Sequence, residues 1–334
     1  GKVGNDAFGM SVVEKMKQYG APGGTIVVPG EETSYTIALA PPGIDRVFLH
    51  SPGANDTFGA ADIPYEKLER ARAFHFGYPP LMRRMYLNEG EELVELLKRA
   101  RERGVTVSLD LSLPDPESEG GKIDWDALLR KALPHVDLFL PSAEEVLFCL
   151  DRKRFLQRRN EAREQGVDAL ELFQPHEYSA MSEQLIGYGA AIAGLKSGHR
   201  GIYVRTAGAD RLEAMGRARV GDAANWSGRE LWEPPFQVDH VASATGAGDS
   251  CIAGFLAAFL RGETIESALR YAAAAGAQNV TAHDAVSGIR SFEETRDAIG
   301  SWPKRTVEVG AEGWQFDAAN ALWHGPNDTH APAR

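Results

Sequence analysis

The sequence is poor in cysteine and has no long apolar run. Its 334 residues include two cysteines, Cys149 and Cys251, too few for a disulfide framework. Both stand in apolar segments and are interpreted as small buried residues. No stretch approaches the roughly 18 apolar residues of a membrane span, and no signal peptide is recognisable. We therefore expect a cytoplasmic protein with no membrane partner.

Positive charge is also in short supply. The chain has 36 Lys and Arg against 47 Asp and Glu, a formal net charge of -11. This balance argues against a nucleic-acid partner, so any phosphate ligand must be held by local groups. The nine histidines show no metal-ligand spacing, and no Gly-x-Ser-x-Gly elbow or Ser/His/Asp triad is visible.

The hydrophobic pattern divides the chain into segments. Residues 20–58 contain short β-prone runs between proline and glycine turns, which predicts a small sheet. From about residue 72, strands alternate with helices, and this favours a parallel sheet with ligands beyond the carboxyl ends of its strands. The pattern predicts one helix over residues 178–195 and a strand over 201–205. Asp110 follows a strand predicted over 105–109, where it either contacts a ligand or caps a turn.

Two segments interrupt this alternation. The highly charged stretch 151–166 predicts a solvent-exposed helix held by local ion pairs. The tail, residues 301–334, carries Trp302, Trp314 and Trp323 among polar residues. We expect this tail to pack on the body of the protein or on a partner subunit.

The segment with the clearest chemistry is Ala-Thr-Gly-Ala-Gly-Asp-Ser at 244–250, which runs into an apolar helix. The glycines allow a tight turn that exposes backbone N–H groups, and the helix end behind them favours an anion such as phosphate. Asp249 at that end is placed to accept a proton from an attacking hydroxyl, as phosphoryl transfer requires. The alternative is that Asp249 only caps the helix.

These residues resemble the signature of the ribokinase-like (PfkB) carbohydrate kinases. Other blocks agree in chain order: Gly-Lys-Val-Gly-Asn-Asp-Ala-Phe-Gly at 1–9, Pro-Gly-Ala-Asn at 52–55, Pro-Ser-Ala-Glu-Glu at 141–145 and Thr-Ala-Gly at 206–208. The resemblance covers roughly residues 1–290 and implies a three-layer α/β fold with a mostly parallel central sheet. It also implies a body over 1–19 and 59–300, with a small β-sheet lid over 20–58 that closes over the sugar and mediates a homodimer.

The resemblance further implies ATP-dependent phosphorylation of a sugar primary hydroxyl. Asp249 would be the general base, and Gly246, Ala247 and Gly248 would supply the anion-hole N–H groups. Glu145 would help to hold Mg²⁺. A nucleoside kinase and a catalytically silent sugar- or nucleotide-binding protein are the alternatives on the same fold.

The same resemblance assigns the binding residues. The nucleotide would be bordered by Thr206, Gly208, Ser142 and the helix 273–279, which ends at Asn279. The acceptor sugar would lie near Asn55 and Asp110.

The chain departs from the family pattern at several points. Ser142 replaces the asparagine of the family's Asn-x-x-Glu motif, which we interpret as an adjustment of this motif and not as its loss. Ser243-Ala244 replaces Asp-Thr ahead of the signature, so activation by a monovalent cation is not expected. The family's first strand and its Gly-Gly-x-x-x-Asn element would precede Gly1. We therefore expect that the sequence is a fragment of a longer product, that it omits residues which the protein has, or that the protein is a degenerate member of the family.

Overall fold

The computed structural model describes residues 1–21, 23–39 and 47–331. Its strands are β1 (Lys2–Gly4), β2 (Ile26–Val28), β3 (Tyr35–Leu39), β4 (Val47–Ser51), β5 (Ala73–Phe76), β6 (Thr106–Leu109), β7 (Leu138–Phe139), β8 (Ile192–Lys196), β9 (Ile202–Thr206), β10 (Glu230–Glu233), β11 (Gln315–Asp317) and β12 (Leu322–His324). Its helices are α1 (Ala7–Gln18), α2 (Tyr65–Leu68), α3 (Arg83–Tyr86), α4 (Glu91–Glu102), α5 (Trp125–Ala132), α6 (Ala143–Leu150), α7 (Arg152–Gln165), α8 (Pro175–Gly187), α9 (Ala209–Glu213), α10 (Ala223–Trp226), α11 (Ala247–Leu260), α12 (Ile265–Asn279) and α13 (Phe292–Ile299).

Eight strands form one sheet in the order β11-β12-β10-β9-β8-β7-β6-β5. The strands β5 to β8 are parallel, whereas β8, β9, β10, β12 and β11 pair antiparallel. The prediction of a mostly parallel sheet therefore holds for one half and not for the other. The reason is the short turn between β8 and β9, which contains Gly198–Arg200 in place of a crossover helix.

Helices cover both faces of this sheet, because successive residues of its strands point to opposite sides. Phe139, Tyr203 and Trp232 pack into the core beneath α4, α5, α6 and α8. Their neighbours Leu138, Val204 and Leu231 pack into a second core with α11 and α12. The apolar face of α4, formed by Leu93, Leu96, Leu97 and Ala100, is fully buried. The result is the predicted three-layer α/β architecture.

The helix predicted over residues 178–195 is wrong in its second half. Helix α8 ends at Gly187, and Ile192–Lys196 forms the buried strand β8. Gly189 has a φ of +117°, and a Cβ atom there would lie 2.9 Å from the Cα of Pro134. The chain therefore reverses against residue 134 at a position that requires glycine. A short apolar run fits either a helix or a buried strand, and sequence pattern alone chose the wrong one.

The two interrupting segments form a helix and a packed tail, as predicted, but the ion pairs of the helix are not local. Arg154 and Arg158 pair with Glu177 of α8, and Arg158 is buried. The charged stretch forms helix α7, which ends at Gly166 in the left-handed conformation. The tail returns to the body, where β12 pairs with β10 and extends the large sheet. Trp314 is 9% exposed and lies 6.0 Å from Trp232, measured between ring centroids.

The strands β1 to β4 form two two-stranded sheets that are separate from the large sheet, and we call them together the small β layer. Strand β1 pairs parallel with β2, and β3 pairs antiparallel with β4. This agrees with a small sheet within 20–58, although the predicted turn at 41–43 falls outside the described residues. Because β1 belongs to this layer, the border placed after residue 19 does not coincide with a break in strand pairing. Within the described residues, no helix is long and apolar enough to cross a membrane.

Candidate active site

The predicted anion-binding turn opens helix α11. Gly246 precedes the helix with a φ of +82°, and a Cβ atom there would lie 2.7 Å from the Cβ of Ala285. Only glycine combines this backbone with this close approach. The Ala247 N–H, a predicted donor, is engaged, because it donates to the Ala244 carbonyl at 3.2 Å. The next amides, at Gly248 and Asp249, lie in the first helical turn, whose N–H groups have no carbonyl partner within the helix. They form a donor group suited to an anion.

Asp249 lies in this first turn, and its carboxylate is exposed to solvent. The hydroxyl of Tyr78 donates a hydrogen bond to Asp249 Oδ1 at 2.6 Å. Tyr78 follows β5, so the contact links the carboxyl end of this edge strand of the large sheet to the start of α11. An exposed carboxylate beside free N–H donors can accept a proton from an incoming hydroxyl.

A buried lysine lies beside the same helical turn. A Cβ atom on Gly248 would lie 3.6 Å from Cε and 3.7 Å from Nζ of Lys196, the last residue of β8. The Lys196 ammonium donates to Asp110 Oδ1 at 2.7 Å, and these two side chains are 12% and 2% exposed. The turn therefore has a fixed positive charge beside its N–H groups, which compensates locally for the acidic chain as a whole.

Asp110 lies at the carboxyl end of β6, at the edge that the sequence predicted. Burial raises its pKa to about 7, although the Lys196 ammonium acts in the opposite direction. Burial also raises the pKa of Glu145, which faces the same ammonium. Asp110 is therefore the partner of Lys196, in addition to the ligand contact or turn cap that the sequence suggested.

The raised pKa of Asp110 predicts a pH-dependent stability. The folded protein holds a proton on Asp110 that the unfolded chain releases near pH 4. The contribution of Asp110 to the free energy of unfolding is therefore fully present below about pH 4 and is lost as the pH rises through about 7. Asp110→Asn should flatten this pH dependence in urea denaturation. An unchanged slope between pH 4 and 7 would contradict the assignment.

Ser142 and Glu145 cap helix α6. The Ser142 hydroxyl accepts from the Glu145 N–H at 3.2 Å, and Glu145 Oε2 accepts from the Ser142 N–H at 2.7 Å. Serine thus supplies the cap that an asparagine would supply. One carboxylate oxygen of Glu145 is engaged in the cap, and the other remains as a ligand for a cation.

The structure corrects the predicted nucleotide contacts at Thr206 and Gly208. Thr206 pairs with Ile192, at the end of β8 opposite to Lys196. Its hydroxyl donates to the carbonyl of Trp226 at 2.5 Å and is buried there. The sequence interpretation took this strand as parallel, but β9 is antiparallel, so its carboxyl end lies at the far edge of the sheet.

The two predicted asparagines occupy different parts of the fold. Asn279 is buried at the end of α12 and donates to the Ala285 carbonyl at 2.7 Å, beneath Gly246. Its Oδ1 has no hydrogen-bond partner among the described residues. Asn279 therefore supports the turn from below. Asn55 lies in a short helical turn after β4, which packs against β1 of the small layer.

A cavity of about 260 Å³ extends from the turn along α12. Its floor contains Lys196 and Gly248, and its walls are small and apolar, formed by Val238, Val241, Ala273, Gly276, Ala277 and Val280. A narrow apolar slot that ends at a cation and free N–H groups fits the base and the phosphates of a nucleotide. Helix 273–279, which the resemblance placed along the nucleotide, contributes Ala273, Gly276 and Ala277 to this wall.

The carboxylate groups at the site carry oxygen atoms, which are the ligands that Mg²⁺ prefers. No cluster of three or more ligating side chains occurs in the part of the chain that the structure describes. Mg²⁺ commonly takes one or two carboxylates and completes its shell with water and substrate phosphates. Glu145 therefore fits as one of the protein groups for a nucleotide-bound Mg²⁺.

Sequence reasoning missed two residues of this site. Lys196 directly follows the helix predicted over 178–195, so its position at the end of a strand went unnoticed. Tyr78 carried one usable signal, because a tyrosine between Gly77 and the pair Pro79-Pro80 follows a strand directly.

Comparisons with known proteins identify relatives along most of the chain. The model of the pfkB family carbohydrate kinase matches residues 1–291. An uncharacterized sugar kinase of Archaeoglobus fulgidus is 22% identical over 289 residues, which cover 86% of this chain and 93% of that protein. A cytidine kinase of Thermococcus kodakarensis is 25% identical over 219 residues, which cover 65% of this chain and 58% of that protein.

Solved structures agree with the fold. The chain superimposes on a ribokinase of Arabidopsis thaliana in complex with ribose and ATP with a TM-score of 0.64 and 17% identity, over 90% of this chain and 80% of that one. It matches a fructokinase of Xylella fastidiosa with bound ATP with a TM-score of 0.64 and 22% identity, over 90% and 84%. These likenesses establish a ribokinase-like fold. With the family model matched across residues 1–291, the chain belongs to the pfkB family of carbohydrate kinases, which transfer a phosphoryl group to a hydroxyl.

Proposed function

We propose that the protein transfers the γ-phosphoryl group of ATP to the primary hydroxyl of a sugar, with Asp249 as the general base. One observation supports this most directly: a solvent-accessible carboxylate, free N–H donors and a buried ammonium meet at the start of α11. The first takes a proton, and the other two stabilise negative charge on the transferred group.

The proposed reaction is an in-line displacement. The acceptor hydroxyl gives its proton to the Asp249 carboxylate, and its oxygen forms a bond to the γ-phosphorus. The bond between the γ-phosphorus and the bridging oxygen breaks, and ADP leaves with that electron pair. The Gly248 and Asp249 amides and the Lys196 ammonium stabilise the charge on the phosphoryl oxygens.

Glu145 is the proposed protein ligand of Mg²⁺, directly or through water. When bound, the ion would neutralise charge on the phosphates. Asn55 remains the proposed contact of the acceptor sugar.

An acceptor panel tests this function. With ATP and Mg²⁺, we expect ADP release that depends on one of three sugars, namely fructose, ribose or 2-keto-3-deoxygluconate. Binding of ATP without turnover on any acceptor would contradict the proposal and favour a silent binding protein. Failure to bind ATP in calorimetry would contradict both.

A nucleoside kinase is the second candidate, because one relative is a cytidine kinase. Adenosine and cytidine therefore belong in the same panel. If kcat/KM for either nucleoside exceeds the values for all three sugars, the acceptor is a nucleoside and not a sugar. The proposed roles of Asp249 and Lys196 would stay the same.

We also propose a homodimer formed through the small β layer. On β3, alternate side chains form an apolar row in which Tyr35, Ile37 and Leu39 are 39%, 49% and 46% exposed. Ile37 is paired in register with Leu49, which is 53% exposed. A contiguous apolar strip of this kind is typical of a protein interface.

A charge in this strip should separate the subunits. Ile37→Lys is expected to raise the dimer dissociation constant at least 10-fold in sedimentation velocity, because a buried lysine without a partner is costly. Ala38→Lys, on the opposite face of the same strand, is the matched control. A wild-type protein that sediments as a monomer at all concentrations would contradict the proposal.

A further inference from the structure

Tyr78 has an unusual backbone conformation. Its φ and ψ are +63° and +40°, the left-handed region that is uncommon for any residue with a side chain and strained for a bulky one. The residue stands directly after Gly77 at the end of β5, and its hydroxyl lies 2.6 Å from Asp249 Oδ1. Strained residues that the surrounding structure holds in place concentrate at functional sites.

The segment after Tyr78 makes this conformation rigid. Pro79 and Pro80 are buried and begin a 3₁₀ turn that extends to Leu81. The Leu81 N–H donates to the Tyr78 carbonyl at 2.9 Å and closes the turn. Proline fixes its own φ and restricts the residue before it. The phenol is therefore carried by a backbone with little freedom, which fixes the direction in which it points.

Asp249 lacks a comparable support of its own. It lies in the first turn of α11 and is exposed to solvent, where a short carboxylate side chain has several rotamers available. A general base acts efficiently only when it is held near the productive geometry. A carboxylate has two oxygens, so a donor on Oδ1 can fix the group while Oδ2 accepts the proton of the acceptor.

We propose that Tyr78 is a positioning residue for Asp249: its hydroxyl holds Oδ1 and leaves Oδ2 turned toward the acceptor hydroxyl. This inference rests on the proposed function, because it assigns Tyr78 a role only if Asp249 is the base. Tyr78 neither gives nor takes a proton in the reaction.

The phenol stays a donor throughout the working pH range. Burial raises the pKa of Tyr78 far above its ordinary value, and the hydrogen bond to the Asp249 carboxylate acts in the same direction. Nearby Asp110 and Glu145 add to this effect. The hydrogen bond is therefore present whenever the carboxylate is charged.

The test is a double-mutant cycle. Tyr78→Phe removes the hydroxyl and keeps the ring, and we expect kcat to fall about 10-fold while KM for ATP stays within about twofold. In an Asp249→Asn background, Tyr78→Phe should cause no further loss, because there is no carboxylate left to orient. If Tyr78 had only a structural role, Tyr78→Phe would lower kcat by the same factor in the wild-type and in the Asp249→Asn background.

Tyr65→Phe is the matched control. The Tyr65 hydroxyl is buried and has no hydrogen-bond partner among the described residues, and Tyr65 belongs to α2. Its removal should leave kcat unchanged. A second variant, Tyr78→Asn, lacks the phenol but suits the left-handed backbone better than phenylalanine. It should show the same loss of kcat if the phenylalanine variant does not fold.

The outcomes separate the two proposals. If Asp249→Asn retains phosphorylation, the proposed general base is wrong and the role of Tyr78 falls with it. If Asp249→Asn is inactive but Tyr78→Phe and Tyr78→Asn keep the wild-type kcat, the role of Tyr78 alone is wrong. Equal losses of kcat from Tyr78→Phe in the wild-type and Asp249→Asn backgrounds would also show that the role of Tyr78 is wrong.

Discussion

Asp249→Asn is expected to lower kcat for phosphoryl transfer about 10³-fold. Asparagine has nearly the shape of aspartate, so helix α11 and the turn at Gly246 should persist. It cannot take a proton from the acceptor hydroxyl, which must then attack in its weakly nucleophilic neutral form. Because the N–H groups and Lys196 remain, affinity for ATP should change by no more than a few-fold.

Initial rates with the best acceptor of the panel and calorimetric binding of ATP measure the two effects separately. Asp210→Asn is the matched control, since it removes the same charge from an exposed carboxyl group in the first turn of another helix, α9. It should keep wild-type rates. Phosphorylation by Asp249→Asn within a few-fold of the wild-type rate would show that Asp249 is not the general base.

The chemistry of the α11 turn could be predicted from sequence because it is local. Gly246 is required by a positive φ and a close approach to Ala285, and both constraints act within one short segment. Asp110 could be placed at the ligand edge for a similar reason, because a residue that follows a parallel strand has a fixed place in the sheet. Such features depend on neighbours along the chain.

Lys196 could not be placed in this way because the apolar run before it was predicted as a helix and forms strand β8. Thr206 could not be placed because its position depends on the direction of β9. A crossover helix before β9 would have made it parallel and brought Thr206 to the ligand edge. The short turn at Gly198–Arg200 reverses the strand, so that Lys196 and the start of β9 occupy that edge instead. Apolar periodicity does not encode strand direction, and the error followed from that.

Tyr78 illustrates a different limit. Its partner Asp249 is 171 residues away in sequence, and the contact exists only because β5 and α11 meet at one edge of the fold. The tyrosine between Gly77 and two prolines predicts a turn, but nothing in that turn indicates what the hydroxyl contacts. Long-range partners of this kind emerge from the assembled layers.

Lys196→Met is expected to have two separable effects. It removes the ammonium beside Gly248, and kcat/KM for ATP should fall about 10²-fold because charge on the phosphates loses a buried partner. It also leaves Asp110 without its ion pair in the interior. Removing one partner of a buried pair typically costs about 3–5 kcal/mol of the free energy of unfolding.

Lys304→Met is the control that distinguishes a structural loss from a catalytic one. Lys304 forms a largely buried pair with Glu233, at 2.5 Å, and lines a different cavity from the one that contains Lys196. Its replacement should also destabilise the fold, as urea denaturation would show, but folded enzyme should keep its kcat/KM for ATP. Equal kinetic losses in the two variants would mean that Lys196 acts only through stability.

The double variant Lys196→Met/Asp110→Asn separates the effect on stability from the effect on catalysis. Asparagine removes the carboxylate that the first substitution leaves unpaired, so much of the lost free energy of unfolding should return. The kinetic loss should remain, because no positive charge has been restored beside the first turn of α11. Recovery of activity together with stability would contradict a direct role for Lys196 at the phosphates. Recovery of stability alone would show that the ammonium serves the transferred group, with Asp110 holding it in place.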